Sequence, residues 1–198
     1  MMIRLIALLC LSLWLNACEN PFQTREPEPP RTAGDRWLPP FSADLVLVNL
    51  ENAVADLNTE NYVRCFSDGT RGNAALHFEP DLASTNTNPG FFAFWSLADE
   101  RFYFSQLRAS MSGDSLRSLQ LDSLQTIVFG DSAIFLRAYD LTVRHTLQSS
   151  GVPGRVRGEL RFWLNKDELG EWSITRWADF ASGSTQTWSS LKILFGSR

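Results

Sequence analysis

The feature that most narrows the fold of this chain is a change of period near residue 115. From Ser42 to Met111 apolar residues recur at helical spacing, and from Leu116 to Ala181 they alternate. A 3.6-residue period lays a stripe along a helix, whereas a two-residue period builds one face of a strand. The chain therefore reads as helices followed by a sheet.

In the first part, Ser42 is the expected N-cap of a helix with Asp44 in its first turn, and Val46, Leu47, Leu50, Ala53, Val54 and Leu57 line one face. A short second helix starts at Thr59, turns Tyr62, Val63 and Phe66 inward, and ends at Asp68-Gly69. Cys65 falls in this pattern as a small core residue. Residues 75–80 suit a short strand closed by Pro80, and residues 81–90 read as a Thr/Asn/Pro/Gly loop. Ser96 with Asp99 three positions on forms a capping box for a third helix, whose Leu97, Phe104, Leu107 and Met111 share a face widened by Phe102 and Tyr103.

The alternating part divides at Gly130-Asp131, Gly151 to Gly154 and Asn165 to Gly170 into four strands, roughly 116–129, 133–147, 155–165 and 171–181. In the second, Phe135, Tyr139, Leu141 and Val143 share a face with Arg137 and His145. In the last, Trp172, Ile174, Ala178 and Phe180 share one with Arg176. Strands of this length predict strong twist and at least one bulge.

Ahead of the folded part stand two segments that build no core. An apolar run from Leu5 to Leu15, tipped by Arg4, ends in Leu15-Asn16-Ala17-Cys18. Eleven such residues fall short of the roughly twenty a membrane-spanning helix needs. A cysteine directly after small Ala17 suits a lipoprotein signal peptidase, so residues 1–17 read as a signal peptide and Cys18 as the site of a thioether-linked diacylglycerol. Residues 18–41 then carry six prolines among charged residues, with little to bury. This is a lipidated tether, able when extended to span up to about 70 Å. The expected address is the cell envelope, lipid-anchored and facing the periplasm. Glu19 rather than Asp after the cysteine favours the outer over the inner membrane.

Residues 42–198 remain as a single domain. From residue 18 onward the chain holds 17 basic and 22 acidic residues, a net charge of −5 with no basic tail or stripe, which argues against nucleic-acid binding. His77 and His145 stand alone without C-x-x-C or H-x-H spacing, so no metal is expected. There is no nucleophile elbow and no phosphate-cradling glycine loop, and no cofactor is implied.

The order of two or three helices, one short strand, a helix and four long strands ending in Trp172-Ser173-Ile174-Thr175-Arg176-Trp177-Ala178-Asp179 resembles the nuclear transport factor 2-like (NTF2-like) superfamily, which includes polyketide-cyclase-like and ketosteroid-isomerase-like proteins. The resemblance covers about residues 42–195. It implies an α+β fold in which N-terminal helices pack in the concave face of a strongly curved, mostly antiparallel sheet, a cone-shaped α+β barrel with a ligand at its open end. No catalytic motif of the superfamily aligns, so the resemblance carries a shape and no chemistry.

Within such a cone Asp140, Asp179, His77 and His145 are the available bases, each with a structural reading as ion pair, cap or satisfied histidine. Arg137 and Arg176 fall in phase with apolar residues, where an unpaired charge is costly. Together with Tyr139 and His145 they form the candidate ligand-binding set, the expected partner being a protein carboxylate or an anionic ligand. Three readings stay open. The leading one is a non-enzymatic envelope lipoprotein, held to the bilayer through Cys18, whose cone binds a small apolar or anionic molecule or serves as a scaffold. The second is an isomerase- or cyclase-like enzyme using an Asp or His in the cone. The third is an envelope assembly module forming a homodimer through the sheet, with Trp163 and Trp177 as anchors.

Overall fold

The computed structural model describes residues 36–183 and 186–197. The signal peptide, Cys18 and most of the tether lie outside the described residues. The fold is α+β: helices α1 (Ala43–Asp56) and α2 (Thr59–Arg64), strand β1 (His77–Glu79), helices α3 (Leu82–Thr87) and α4 (Leu97–Ala109), strands β2 (Arg117–Phe129), β3 (Ser132–Val143), β4 (Arg155–Lys166) and β5 (Trp172–Ala181), and a last helix α5 (Trp188–Gly196). The sheet runs β1-β5-β4-β3-β2, antiparallel except for β1, which pairs in parallel with β5.

Alternation decides the faces of β3 and β4. Phe135, Arg137, Tyr139, Leu141 and Val143 point inward from β3, and Val156, Leu160, Phe162 and Leu164 from β4, so one face packs against the helices and the other faces outward. The third predicted helix begins at the expected capping box of Ser96 and Asp99. Cys65 is fully buried at the end of α2, where burial pushes its thiol well above the ordinary range.

Three departures from the sequence reading matter. Thr175 has no partner on β4, because Arg176 pairs with Trp163 while Ile174 pairs with Leu164. This bulge shifts the parity of β5 by one residue. Trp172 and Ile174 point inward as expected, but beyond the bulge Trp177 and Asp179 are the inward residues and Arg176 and Phe180 stand exposed. Trp177 therefore belongs to the core and not to an outer anchor pair. The expected loop at 81–90 contains α3, capped by Asp81, whose carboxylate accepts from Ala83 N and Ser84 N at 2.9 and 3.0 Å. Finally, β3 stops at Val143. His145 caps a 3-10 turn at Thr146–Ser150 instead of continuing the strand.

A second bulge, at Leu124, interrupts β2. Leu124 itself and, beyond it, Ile127, Val128 and Phe129 are exposed, since α1 covers only the opening of this edge strand.

Candidate functional site

The interior of the cone, the place the resemblance reserves for a ligand, is occupied by α5. This helix forms because Trp188, Leu191, Lys192 and Phe195 fall at i, i+3, i+4 and i+7 and are all buried. Thr187 caps it, accepting from Ser190 N, and donates its own hydroxyl to Asp81 Oδ2 at 2.6 Å.

Two buried carboxylates organise this interior. Glu100, in the first turn of α4, accepts from Lys192 Nζ and, at 2.7 Å, from Trp95 Nε1 through one oxygen; the other accepts the Tyr62 hydroxyl at 3.0 Å. Neither member of the Glu100–Lys192 pair has any solvent exposure. The ammonium also lies 3.6 Å from the ring centroids of both Phe78 and Trp177, a cation held by ring faces as well as by a counter-charge. Burial pushes the Lys192 pKa down to about 8, with Glu100 pulling the other way.

Asp179 is the second. Its Oδ1 accepts the Tyr139 hydroxyl at 2.9 Å, and its Oδ2 accepts Ser189 N and Oγ at 2.7 and 2.5 Å. Tyr139 Oη in turn accepts Trp188 N at 2.8 Å, while Trp188 Nε1 donates to Tyr103 Oη at 3.0 Å. Ser189 Oγ accepts from Asp81 N at 3.1 Å, which ties α5 to the start of α3. Burial raises the Asp179 carboxyl above the usual range, against the lowering effect of these donors. Burial likewise raises the Tyr139 hydroxyl, and the charge of Asp179 adds to the effect.

Of the residues singled out by sequence, Tyr139 and Asp179 belong to this network. Arg137 points to the same face and is buried. It turns toward β2, donating to Gln125 O at 2.8 Å, Leu136 O at 3.0 Å and Thr126 Oγ1 at 2.9 Å above the Phe135 ring. Backbone carbonyls, the Thr126 hydroxyl and a ring face contact its guanidinium, and the charge of Asp44 favours its charged form against burial. His145 is buried, with Nδ1 accepting from Leu147 N and Nε2 facing Pro153 O at 3.0 Å, so both ring nitrogens serve the turn. Arg176 lies on the outer face, bonded to Glu79 Oε1 at 2.7 Å over the Trp163 ring. The set Arg137, Tyr139, His145 and Arg176 is thus dispersed, and the bulge at Thr175 is the reason Arg176 is not inside. Asp140 sits on the outer face with Arg155 and Arg157, and His77 is exposed beside Glu79.

Glu100 and Lys192, the most buried charges, were not singled out by sequence, although each sits among apolar residues at helical spacing. Leu97, Glu100, Phe104 and Leu107 share one stripe, and Lys192 falls between Leu191 and Phe195 on another. A charge in phase with an apolar stripe is the available signal.

Several clefts lie outside this interior. One of about 390 Å³ opens among Trp37, Arg64, Phe66, Arg71, Leu97 and Trp172. A shallow groove of about 610 Å³ runs between the end of β5 and α3, past Asp81, Leu82 and Phe180. A third, of about 210 Å³, lies on the outer sheet face between Ile127, Ile134, Leu136, Arg161 and Trp163. Arg137, Tyr139, His145 and Arg176 line none of them.

Helices laid in the hollow of a sheet whose short first strand runs parallel to its last define the architecture. The domain has the α+β fold, helices against one face of a mostly antiparallel sheet, that the NTF2-like resemblance implies. No protein-family model and no curated protein sequence matches the chain. Among solved structures it is similar to a candidate aromatic ring hydroxylase from Novosphingobium aromaticivorans, at 16% identity over 78% of this chain and 96% of that one, with a TM-score of 0.54. It is also similar to a conserved protein from Planctomyces limnophilus, at 12% identity over 73% and 93% of the two chains, with a TM-score of 0.52. An NTF2-like protein with a cystatin-like fold from Novosphingobium aromaticivorans matches at 11% identity over 70% and 79%, with a TM-score of 0.46. At such identities the likeness is one of fold, and activity does not travel with fold.

Proposed function

We propose that this protein is a lipid-anchored, non-enzymatic scaffold of the cell envelope that works through the outside of its sheet rather than the inside of its cone. The observation that carries this reading is the occupation of the interior by α5. Proton abstraction needs a base that substrate can reach. Glu100 is fully buried, and Asp179, at 2% exposure, has both carboxylate oxygens engaged by Tyr139 and Ser189. The anchor rests on the sequence ending Leu15-Asn16-Ala17-Cys18 and the proline-rich tether, and the outer membrane is the proposed address.

The outer sheet face supports the second half of the reading. Ile134, Leu136 and Trp163 are partly exposed around a shallow cleft there, next to the exposed Ile127 and Phe129 of β2. Asp122 and Asp140 lie on the β2–β3 half of the sheet, while Arg161 and Arg176 lie on the β4–β5 half. A two-fold axis along the strands would lay each half on its opposite in a second copy, which makes a homodimer the proposed partner.

Light scattering across a dilution series of the mature chain carrying Cys18→Ser tests the surface. A dimer that Leu136→Glu converts to a folded monomer supports it, and a monomer at every concentration rejects it. Partitioning of the native chain into detergent, with loss on Cys18→Ser, tests the anchor; equal partitioning of the two rejects it.

A further inference from the structure

The charges of this domain are divided between its two ends. Arg36, the first described residue, pairs with Asp56 at the close of α1 at 2.8 Å, and the next residues run back along α1 to Pro40, whose carbonyl accepts Trp172 N at 2.8 Å. Arg117 at the start of β2 donates to Ala55 O at 2.7 Å, Arg144 N bonds Leu116 O at 2.9 Å, and Thr146 N bonds Ser110 O at 2.9 Å. These contacts gather the ends of α1, α4 and β3 and the beginnings of β2 and β4. They bring Arg108, Arg117, Arg144, Arg155 and Arg157 to one end, with Asp56, Asp114 and Asp140 as nearby acids.

Arg155 and Arg157 share Asp140, and Arg117 donates to the carbonyls of Ala55, Gly113 and Ser115. Arg108 and Arg144 are exposed and make no ion pair among the described residues. The far end, roughly 40 Å away along strands of twelve residues, gathers Asp68, Asp131, Asp167, Glu168 and Glu171 around Lys166 and Arg71, with Arg64 and Arg101 in the same cleft as Asp167 and Glu171.

The basic end is also apolar. Leu116, Leu147 and Leu194 are each about half exposed there. Leu116 lines a shallow cleft of about 410 Å³ with Arg144 and Arg155, and Leu147 and Leu194 line another of about 300 Å³ beside Ala109 and Phe195. Guanidinium groups around protruding leucines match a bilayer surface, with headgroup phosphates for the arginines and the acyl boundary for the leucines. The net charge of the whole chain is −4, so the attraction depends on this separation of charge and not on the total.

We propose that the end carrying Arg108, Arg144, Leu116 and Leu147 is a docking face for an anionic lipid surface, orienting the domain with the opposite end away from the bilayer. The proposal rests on the lipid-anchored reading for its setting, since a tether holds the face close enough for weak contacts to count. Its test needs no acyl chain. The mature chain carrying Cys18→Ser is floated with vesicles of phosphatidylcholine alone or with phosphatidylglycerol.

Flotation with the anionic vesicles only is expected, weakening as salt screens the contact. Arg108→Gln and Arg144→Gln should each weaken it about fivefold with circular dichroism unchanged. No flotation, equal flotation with neutral vesicles, or indifference to both substitutions would overturn the proposal. So would saturable binding of inorganic phosphate without flotation, which marks a phosphate site instead. Because the variant carries no lipid, failure to float leaves the anchor untouched, and failure of the native chain to partition into detergent leaves the flotation result standing.

Discussion

Lys192 and Glu100 form an ion pair with no solvent exposure on either side chain, closed in by the faces of Phe78 and Trp177. Their helices, α5 and α4, are separated in sequence by the entire β2–β5 meander, so the pair joins the last element of the fold to its helical layer. Removing one partner of such a pair leaves a buried charge uncompensated. Lys192→Met should therefore cost about 3–5 kcal/mol in urea unfolding. The double variant Glu100→Gln/Lys192→Met should recover much of that loss, because the Gln oxygen still accepts from Trp95 while its NH2 can donate to the Tyr62 hydroxyl, with no charge left buried. Simple additivity of the two single effects would show that the pair is not coupled.

The pH dependence of stability follows from the same lysine. Its pKa is about 8 in the fold and 10.5 ordinarily, so between these values the unfolded chain binds the proton more tightly. Stability from this group is lowest below pH 8 and rises toward pH 10.5. Tyr62, Tyr103, Tyr139 and Cys65, all raised in the fold by burial, act in the opposite direction at alkaline pH, since they ionise more readily when unfolded. The difference between native and Lys192→Met unfolding free energies isolates the lysine. It should shift in favour of the native chain across this window, and a flat difference would contradict the lowered pKa.

Tyr139 links Asp179 to the backbone of Trp188. Tyr139→Phe leaves the Trp188 N–H without that acceptor and Asp179 without one donor, at a cost of about 1–3 kcal/mol. Hydrogen exchange should accelerate across α5 more than across β3. Uniform acceleration would mean that the hydroxyl does not anchor the helix.

The bulge at Thr175 predicts a contrast between neighbours. Arg176 is exposed and pairs with Glu79, so Arg176→Ala should change stability by less than about 1 kcal/mol. Trp177 is fully buried, so Trp177→Ala should cost about 3–5 kcal/mol. Thermal unfolding of the two variants decides it, and a large loss for Arg176→Ala would place its guanidinium in the core after all.

The α+β layout was legible because it depends on local period. Helical spacing from Val46 to Leu57 and alternation along β3 and β4 set which residues can share a face before any contact is made. The capping box at Ser96 and Asp99 and the burial of Cys65 are local in the same sense, as is the inward turn of Tyr139. What the interior contains was a tertiary decision. One unpaired residue at Thr175 exchanged Arg176 for Trp177 on the inner face, and alternation cannot foresee where a strand absorbs an extra residue. A charge in an apolar stripe, such as Lys192, is tolerable only if a counter-charge arrives from elsewhere; Glu100 lies 92 positions away, so only the packed chain could supply it. The basic end has the same origin. No run of arginines marks it in the sequence, because Arg108, Arg117 and Arg155 come from three elements and Arg144 from the connection after β3, and these meet only when the sheet closes over its helices.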